Sequence, residues 1–112
     1  MSLSPEDRAE ILEQAAVAVT VLDLTGRIVF YNRYAPNILD RNPQYLGRDI
    51  RSFHQPASNQ KIDRILADYA AGGREEYAWQ LEREGKVLAV RVAPWLGDHG
   101  RCRGLIHTVM PL

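Results

Sequence analysis

The sequence predicts an α+β fold, and three stretches carry that expectation. Val17 to Asn32 reads as two short strands joined by a tight turn, Ser58 to Ala71 as one amphipathic helix, and Glu75 to Met110 as three further strands. Strands, then helices, then strands is the order of an α+β domain and not of alternating βαβ units. At 112 residues the chain is one domain, long enough for a single core and too short for two.

In the first stretch Val17, Val19 and Val21 alternate with Ala18, Thr20 and Leu22, and Ile28 and Phe30 alternate with Val29 and Tyr31. β-branched and aromatic residues suit a pleated surface, and both faces are apolar enough to be covered. Between the runs, Asp23 can bond backbone N–H groups two residues on, and Gly26 can take the positive φ that closes the loop. Asn32 follows as a candidate helix cap.

Upstream, Ser4-Pro5-Glu6-Asp7 is a helix start, with a capping serine, a proline suited to the first position and acids at the positive dipole end. Ile11, Leu12 and Ala15 give it a narrow apolar stripe to about Gln14, too short a helix to persist unpacked. Downstream, Arg33 to Leu39 is expected to form a short helix. Pro36 shifts its start toward Pro36 itself, which leaves the capping role of Asn32 open. In the long helix Ile62, Ile65, Leu66, Tyr69 and Ala70 fall at i, i+3, i+4, i+7 and i+8, one apolar face. Ser58 is its expected cap, Gly72-Gly73 its end, and Asp63 and Asp68 read as a solvated face. The closing strands run from Glu75 to Arg83, Lys86 to Trp95 and Gly104 to Met110, with Glu84-Gly85 as a turn.

Composition excludes several classes. With 46% hydrophobic and 25% charged residues the chain is an ordinary globular protein. Fourteen basic and fourteen acidic side chains cancel, which argues against nucleic acid as a partner. No apolar run approaches the roughly 20 residues that span a bilayer, so no membrane partner is expected. The N-terminus lacks a signal-peptide pattern. Cys102 is alone, so no internal disulfide forms, and a cytoplasmic location is expected. It reads as an inert thiol at a strand start. No Gly-rich phosphate loop, Gly-x-Ser-x-Gly elbow or facing carboxylate pair is present, so no enzyme is expected. The three histidines lack metal-site spacing, which disfavours zinc.

An apolar strand, Asp23-x-x-Gly26, then Arg27-Ile28-x-Phe30-x-Asn32, resembles the opening of a PAS domain. Leu46-Gly47-Arg48-Asp49-Ile50 resembles the family's Leu-Gly-x-x-Ile step, and the element order matches over nearly the whole chain. His54-Gln55-Pro56-Ala57-Ser58 resembles the His-Pro-Pro-x-Ser stretch of one PAS subgroup, with Gln55 in place of a proline. The frequent Asp-Ile-Thr ending is missing from Met110-Pro111-Leu112, so the module is expected to be either free-standing or cut from a longer receptor.

The resemblance implies a five-stranded antiparallel sheet with helices packed on one face. Residues 1–15 would form an N-terminal cap or dimerisation helix, and residues 16–112 the PAS domain. It implies a sensory or signal-relay module that binds a small molecule or haem between the long helix and the sheet. Ile62, Ile65, Leu66 and Tyr69 would line that space from the helix, and Trp79, Val90 and His107 from the strands. His107 reaches it only if its strand's register turns that face inward. His54 is the candidate axial ligand if haem binds, its alternative role being to hold the loop through backbone groups around Pro56 and Ser58. Flavin is disfavoured, because Cys102 does not sit in the Asn-Cys-Arg motif of flavin-binding light sensors. The alternative function is a ligand-free dimerisation or protein-interaction module, with a homodimer or a partner signalling domain as the companion.

Overall fold

Residues 2–54 and 56–112 are described by the structure, a computed structural model. Gln55, the departure from the His-Pro-Pro-x-Ser pattern, lies outside the described residues. Among them the chain forms helices α1 (Pro5–Gln14) and α2 (Pro56–Ala70) and strands β1 (Ala18–Asp23), β2 (Ile28–Tyr31), β3 (Tyr77–Arg83), β4 (Lys86–Leu96) and β5 (Cys102–Pro111). Short 3-10 turns at Ala35–Asn37, Pro43–Tyr45 and Ile50–Ser52 link β2 to α2. The strands make one antiparallel sheet in the order β2-β1-β5-β4-β3. The first hairpin thus pairs with the last strand, and β5 lies at the centre.

Each element starts where local chemistry dictates. Ser4 Oγ accepts from the Asp7 N–H and the Asp7 carboxylate accepts from the Ser4 N–H, both at 3.0 Å, a reciprocal capping box ahead of Pro5. In the β1–β2 turn one Asp23 oxygen accepts from the N–H groups of Thr25 and Arg27 and from the Thr25 hydroxyl, while Gly26 takes φ +93°. α2 begins two residues earlier than Ser58 predicts. Pro56 opens it, since a proline's missing N–H costs nothing in a first turn, and Ser58 lies inside the helix instead of capping it. The expected helix at 33–39 is only the Ala35–Asn37 3-10 turn, with Pro36 inside it.

Alternation decides the core. Ala18 and Leu22 of β1, Leu88, Val90 and Val92 of β4, and Leu105 and Val109 of β5 are buried on the sheet face covered by α2. From the helix, Ile62, Ile65, Leu66 and Tyr69 meet them. Truncating any one of these large aliphatic side chains to alanine would cost about 2–5 kcal/mol. Gly104 lets β1 and β5 close at their far end: it pairs with Asp23, and a Cβ there would overlap the Leu22 carbonyl oxygen. The charges on α2 are not simply solvated. Arg51 bonds the Asp63 carboxylate at 2.6 Å through Nε and the Thr25 carbonyl at 3.0 Å through Nη1, so it ties helix to hairpin. Asp68 accepts from the Tyr77 hydroxyl.

One side chain organises the N-terminal half. Asn32, fully buried, accepts through Oδ1 from the N–H groups of Val19 (3.0 Å) and Ala35 (3.2 Å). Through Nδ2 it donates to the carbonyls of Leu12 and Val17, both at 2.9 Å. It therefore holds the first N–H of the 3-10 turn at Ala35, which its backbone carbonyl also accepts at 3.1 Å, and it fastens the end of α1 to β1. Asn32→Ala leaves several buried backbone groups without partners, at about 1–3 kcal/mol each where water cannot replace the bond. Urea denaturation should show a loss of at least about 3 kcal/mol, and limited proteolysis should cut ahead of Ala18 sooner than in the parent chain.

Candidate functional site

The Thr20 hydroxyl and the His107 imidazole stand opposite one another on β1 and β5, near the middle of the covered sheet face. The register places them in a row that crosses all five strands, Tyr31, Thr20, His107, Val92 and Tyr77. Cross-strand neighbours have Cβ atoms about 4.5–5.5 Å apart, so His107 lies beside Thr20. The face of His107, open in the sequence, is thus the inner one: its partners Thr20 and Val92 are both buried there.

Beside His107 lies a half-open cavity of about 540 Å³, bounded by α2, β3 and the loop that leads into α2. Phe53, Ile62, Trp79 and Leu81 supply its apolar wall, and His54, Ser58 and His107 its polar interior. Asp40, Glu82 and Arg83, all exposed, stand at the mouth. Phe53 is stacked on Tyr45 with ring centroids 3.7 Å apart, and the Lys61 ammonium lies 4.8 Å from the Trp79 ring centre. Of the eight residues singled out from the sequence, His54, Ile62, Trp79 and His107 line this cavity. Ile65, Leu66 and Val90 are packed in the core instead. Tyr69 is also core, its hydroxyl donating to the Glu75 carbonyl at 2.7 Å. Cys102 is buried at the start of β5, its Sγ 3.2 Å from the Gly104 carbonyl oxygen.

Arg41 escapes sequence reading altogether, because Asp40-Arg41-Asn42-Pro43 looks like a solvated loop. In the structure its side chain is 9% exposed, and it is the one buried residue of formal charge among those described. Its Nε donates to Thr20 Oγ1 at 3.0 Å and its Nη1 to the Asp40 carbonyl at 2.9 Å. Among the described residues no carboxylate lies within ion-pair distance of it. The Thr20 bond sets the guanidinium close to His107, although Arg41 itself does not line the cavity.

Burial pushes Arg41 down to about 10, the nearby Asp40 charge opposing this and Arg83 adding to it. Burial first, and then the Arg41 and Arg83 charges, hold His54 at about 4. Burial, then Arg41 and His54, hold His107 at about 3. Both imidazoles are therefore neutral at neutral pH. Neither makes a hydrogen bond among the described residues, and the Nδ1 of each is buried without a partner. Among the described residues His54 makes no bond to the backbone around Pro56 and Ser58, the loop-holding role expected of it. No group of three or more His, Cys, Asp or Glu side chains among the described residues is arranged to hold a metal ion.

A consequence for stability follows. The unfolded histidines titrate near 6.5, and the folded ones well below it. Between about pH 3 and 6.5 the unfolded chain then binds more protons, so stability rises with pH in that window and is lost on acidification. Chemical denaturation across the window should show this slope, and the double variant His54→Gln, His107→Gln should flatten it. Below that range the parent and the variant should converge in behaviour, since what remains is carboxylate titration. There Asp49, held below its usual value by the Arg51 N–H, loses its share as it is protonated.

The comparisons with known proteins agree with this architecture. The PAS domain family profile matches residues 9–112. Comparison with curated protein sequences gives no match. Among solved structures, a C-terminal domain from Streptococcus mutans superposes with a TM-score of 0.80 at 23% identity, over 97% of this chain and 85% of that one. The PAS domain of a protein from Colwellia psychrerythraea gives 0.72 at 15% identity, over 96% and 95%. A sensory box sensor histidine kinase from Vibrio cholerae gives 0.66 at 18% identity, over 94% and 88%. At such identities the superpositions speak to fold alone, whereas the profile covers all but the first eight residues. The chain belongs to the PAS domain family, whose members are typically sensory or signalling modules.

Proposed function

We propose that this chain is a sensory module that takes a small molecule into the cavity between α2, β3 and the loop before α2. The observation that carries the reading is a space of about 540 Å³ left unfilled by Trp79 and Tyr69, with two unbonded imidazoles on its walls. That volume lies within the roughly 300–1,000 Å³ of small-molecule pockets, and the mixture of an apolar wall with a few convergent polar groups is their usual lining. Haem suits it less well. His54 is neutral, as an axial ligand must be, but among the described residues its Nδ1 lacks the partner that orients a ligating imidazole, and Phe53, Ile62, Trp79 and Leu81 offer a porphyrin only one apolar face. A compact organic ligand is the better match, and the module acts without catalysis. No helix among the described residues is long and apolar enough to cross a membrane. The lone buried Cys102 suits a reducing cytoplasm, the compartment we assign.

A ligand at about a hundred times its dissociation constant adds about 2.7 kcal/mol of stability, which in a domain of this size raises the melting temperature by on the order of 10 °C. Thermal melts against a library of small organic molecules should reveal such shifts, and Ser58→Phe, which fills the cavity from α2, should abolish them. A library that moves no melting temperature sinks this reading. Absorbance of the purified protein between about 350 and 500 nm separates out haem.

A second reading rests on α1. It has no buried residue, and Ile11 and Leu12 are 57% and 41% exposed. An apolar pair on a helix fastened to β1 by Asn32 supports residues 1–15 as a dimerisation element, or as the contact with a partner signalling domain. Ile11→Asp with Leu12→Asp should weaken self-association at least tenfold by light scattering. A parent chain that stays monomeric at millimolar concentration removes the homodimer.

A further inference from the structure

We infer that the ligand of the cavity is an organic carboxylate. Its acid group sits against His54 and His107 in the field of Arg41, and its apolar body lies on Phe53, Trp79 and Leu81. The inference rests on the reading of the cavity as a ligand site and adds the chemical class of the ligand. It starts from the imbalance in charge at this place. Arg41 is buried, and no carboxylate pairs with it among the described residues. A buried cation without a counter-charge is costly, and an anion brought beside it recovers part of that cost. The acids nearby do not fill the role. Asp40 and Glu82 are exposed at the mouth beside the equally exposed Arg83, where water and salt screen all three.

Hydrogen bonding points the same way. Arg41 uses one N–H on Thr20 and one on the Asp40 carbonyl, and a guanidinium carries five. Each neutral imidazole has one N–H, and neither ring bonds to the protein among the described residues. The cavity wall thus carries two unbonded imidazoles, with one buried positive charge beside His107. A carboxylate brings two acceptor oxygens and one negative charge, which matches that inventory. A phosphate monoester brings about two negative charges, more than one guanidinium offsets. A neutral amide supplies an acceptor and leaves the Arg41 charge uncompensated.

The test uses three probes of similar size: phenylacetate, phenylacetamide and phenyl phosphate. Binding is followed by the fluorescence of the tryptophans and by melting temperature. Phenylacetate should bind at least tenfold more tightly than phenylacetamide and more tightly than phenyl phosphate. In Arg41→Met that preference should fall to within about twofold. If Arg41→Met fails to fold, His54→Phe, on the loop at the cavity's edge, should weaken phenylacetate at least fivefold and phenylacetamide less. Acid and amide binding equally would overturn the carboxylate and leave the cavity reading standing. Phenyl phosphate binding most tightly would overturn it in favour of a phosphate ligand. Should none of the three bind while library compounds do, the inference also fails, and only an inert library defeats the cavity reading itself.

Discussion

A single buried carboxamide sets the geometry on which the other parts depend. Asn32 offers one acceptor oxygen and two N–H donors, and the fold uses them on four backbone groups drawn from α1, the segment before β1, β1 itself and the turn after β2. No apolar residue could do this, because it has neither the donors nor the acceptor that these backbone groups need. An amide is also neutral, so its full burial carries no charge penalty, only the demand that every hydrogen bond be made. By fixing Val19 it fixes β1, and β1 in turn is held in register along β5 from Ala18 opposite Val109 to Asp23 opposite Gly104.

That register places Thr20 against His107, and Thr20 in its turn holds Arg41. A shift of one residue would send Thr20 outward and bring a valine in, which would leave the Arg41 Nε without its acceptor. The polar centre of the sheet is therefore as dependent on strand pairing as the apolar core is. Gly104 contributes from the other end, since its lack of a side chain lets β5 approach the Leu22 carbonyl closely enough to complete the ladder. The first hairpin lines no part of the cavity, yet its pairing with β5 sets which way His107 faces.

Much of this was legible in the residues, and the division between what was and what was not has a physical cause. Periodic apolar patterns gave the strands and both helices to within two or three residues. The capping box at Ser4 was visible because it is local chemistry. Ser58 misled because two rules competed, capping by serine and the tolerance of a first turn for proline, and Pro56 prevailed. His107 could not be oriented from its own strand, since its facing is decided by Thr20 on a neighbour 87 positions earlier in the chain. Arg41 was invisible for a related reason. Polar loops usually face water, and only the three-dimensional path from Asn32 through the Ala35–Asn37 turn folds this one back over the sheet. The helix pattern makes Asp63 a solvated charge, but its partner Arg51 lies 12 positions earlier, beyond the reach of helical spacing.

The buried polar groups fall into two kinds, and the difference separates scaffold from site. Asn32 and Thr20 have their hydrogen bonds made within the chain, and each bond joins elements that must stay together. His54 and His107 have none, and Arg41 keeps a charge that no side chain neutralises among the described residues. A fold selected only for stability would fill this place with aliphatic residues, as it does one row away at Val90, Val109 and Ala18, because unpaired buried groups cost free energy and return nothing to the folded state. Asn59 Oδ1 on α2 is likewise buried without a partner among the described residues, but both imidazoles that break the rule stand on the cavity wall, where a fold gives up stability for function.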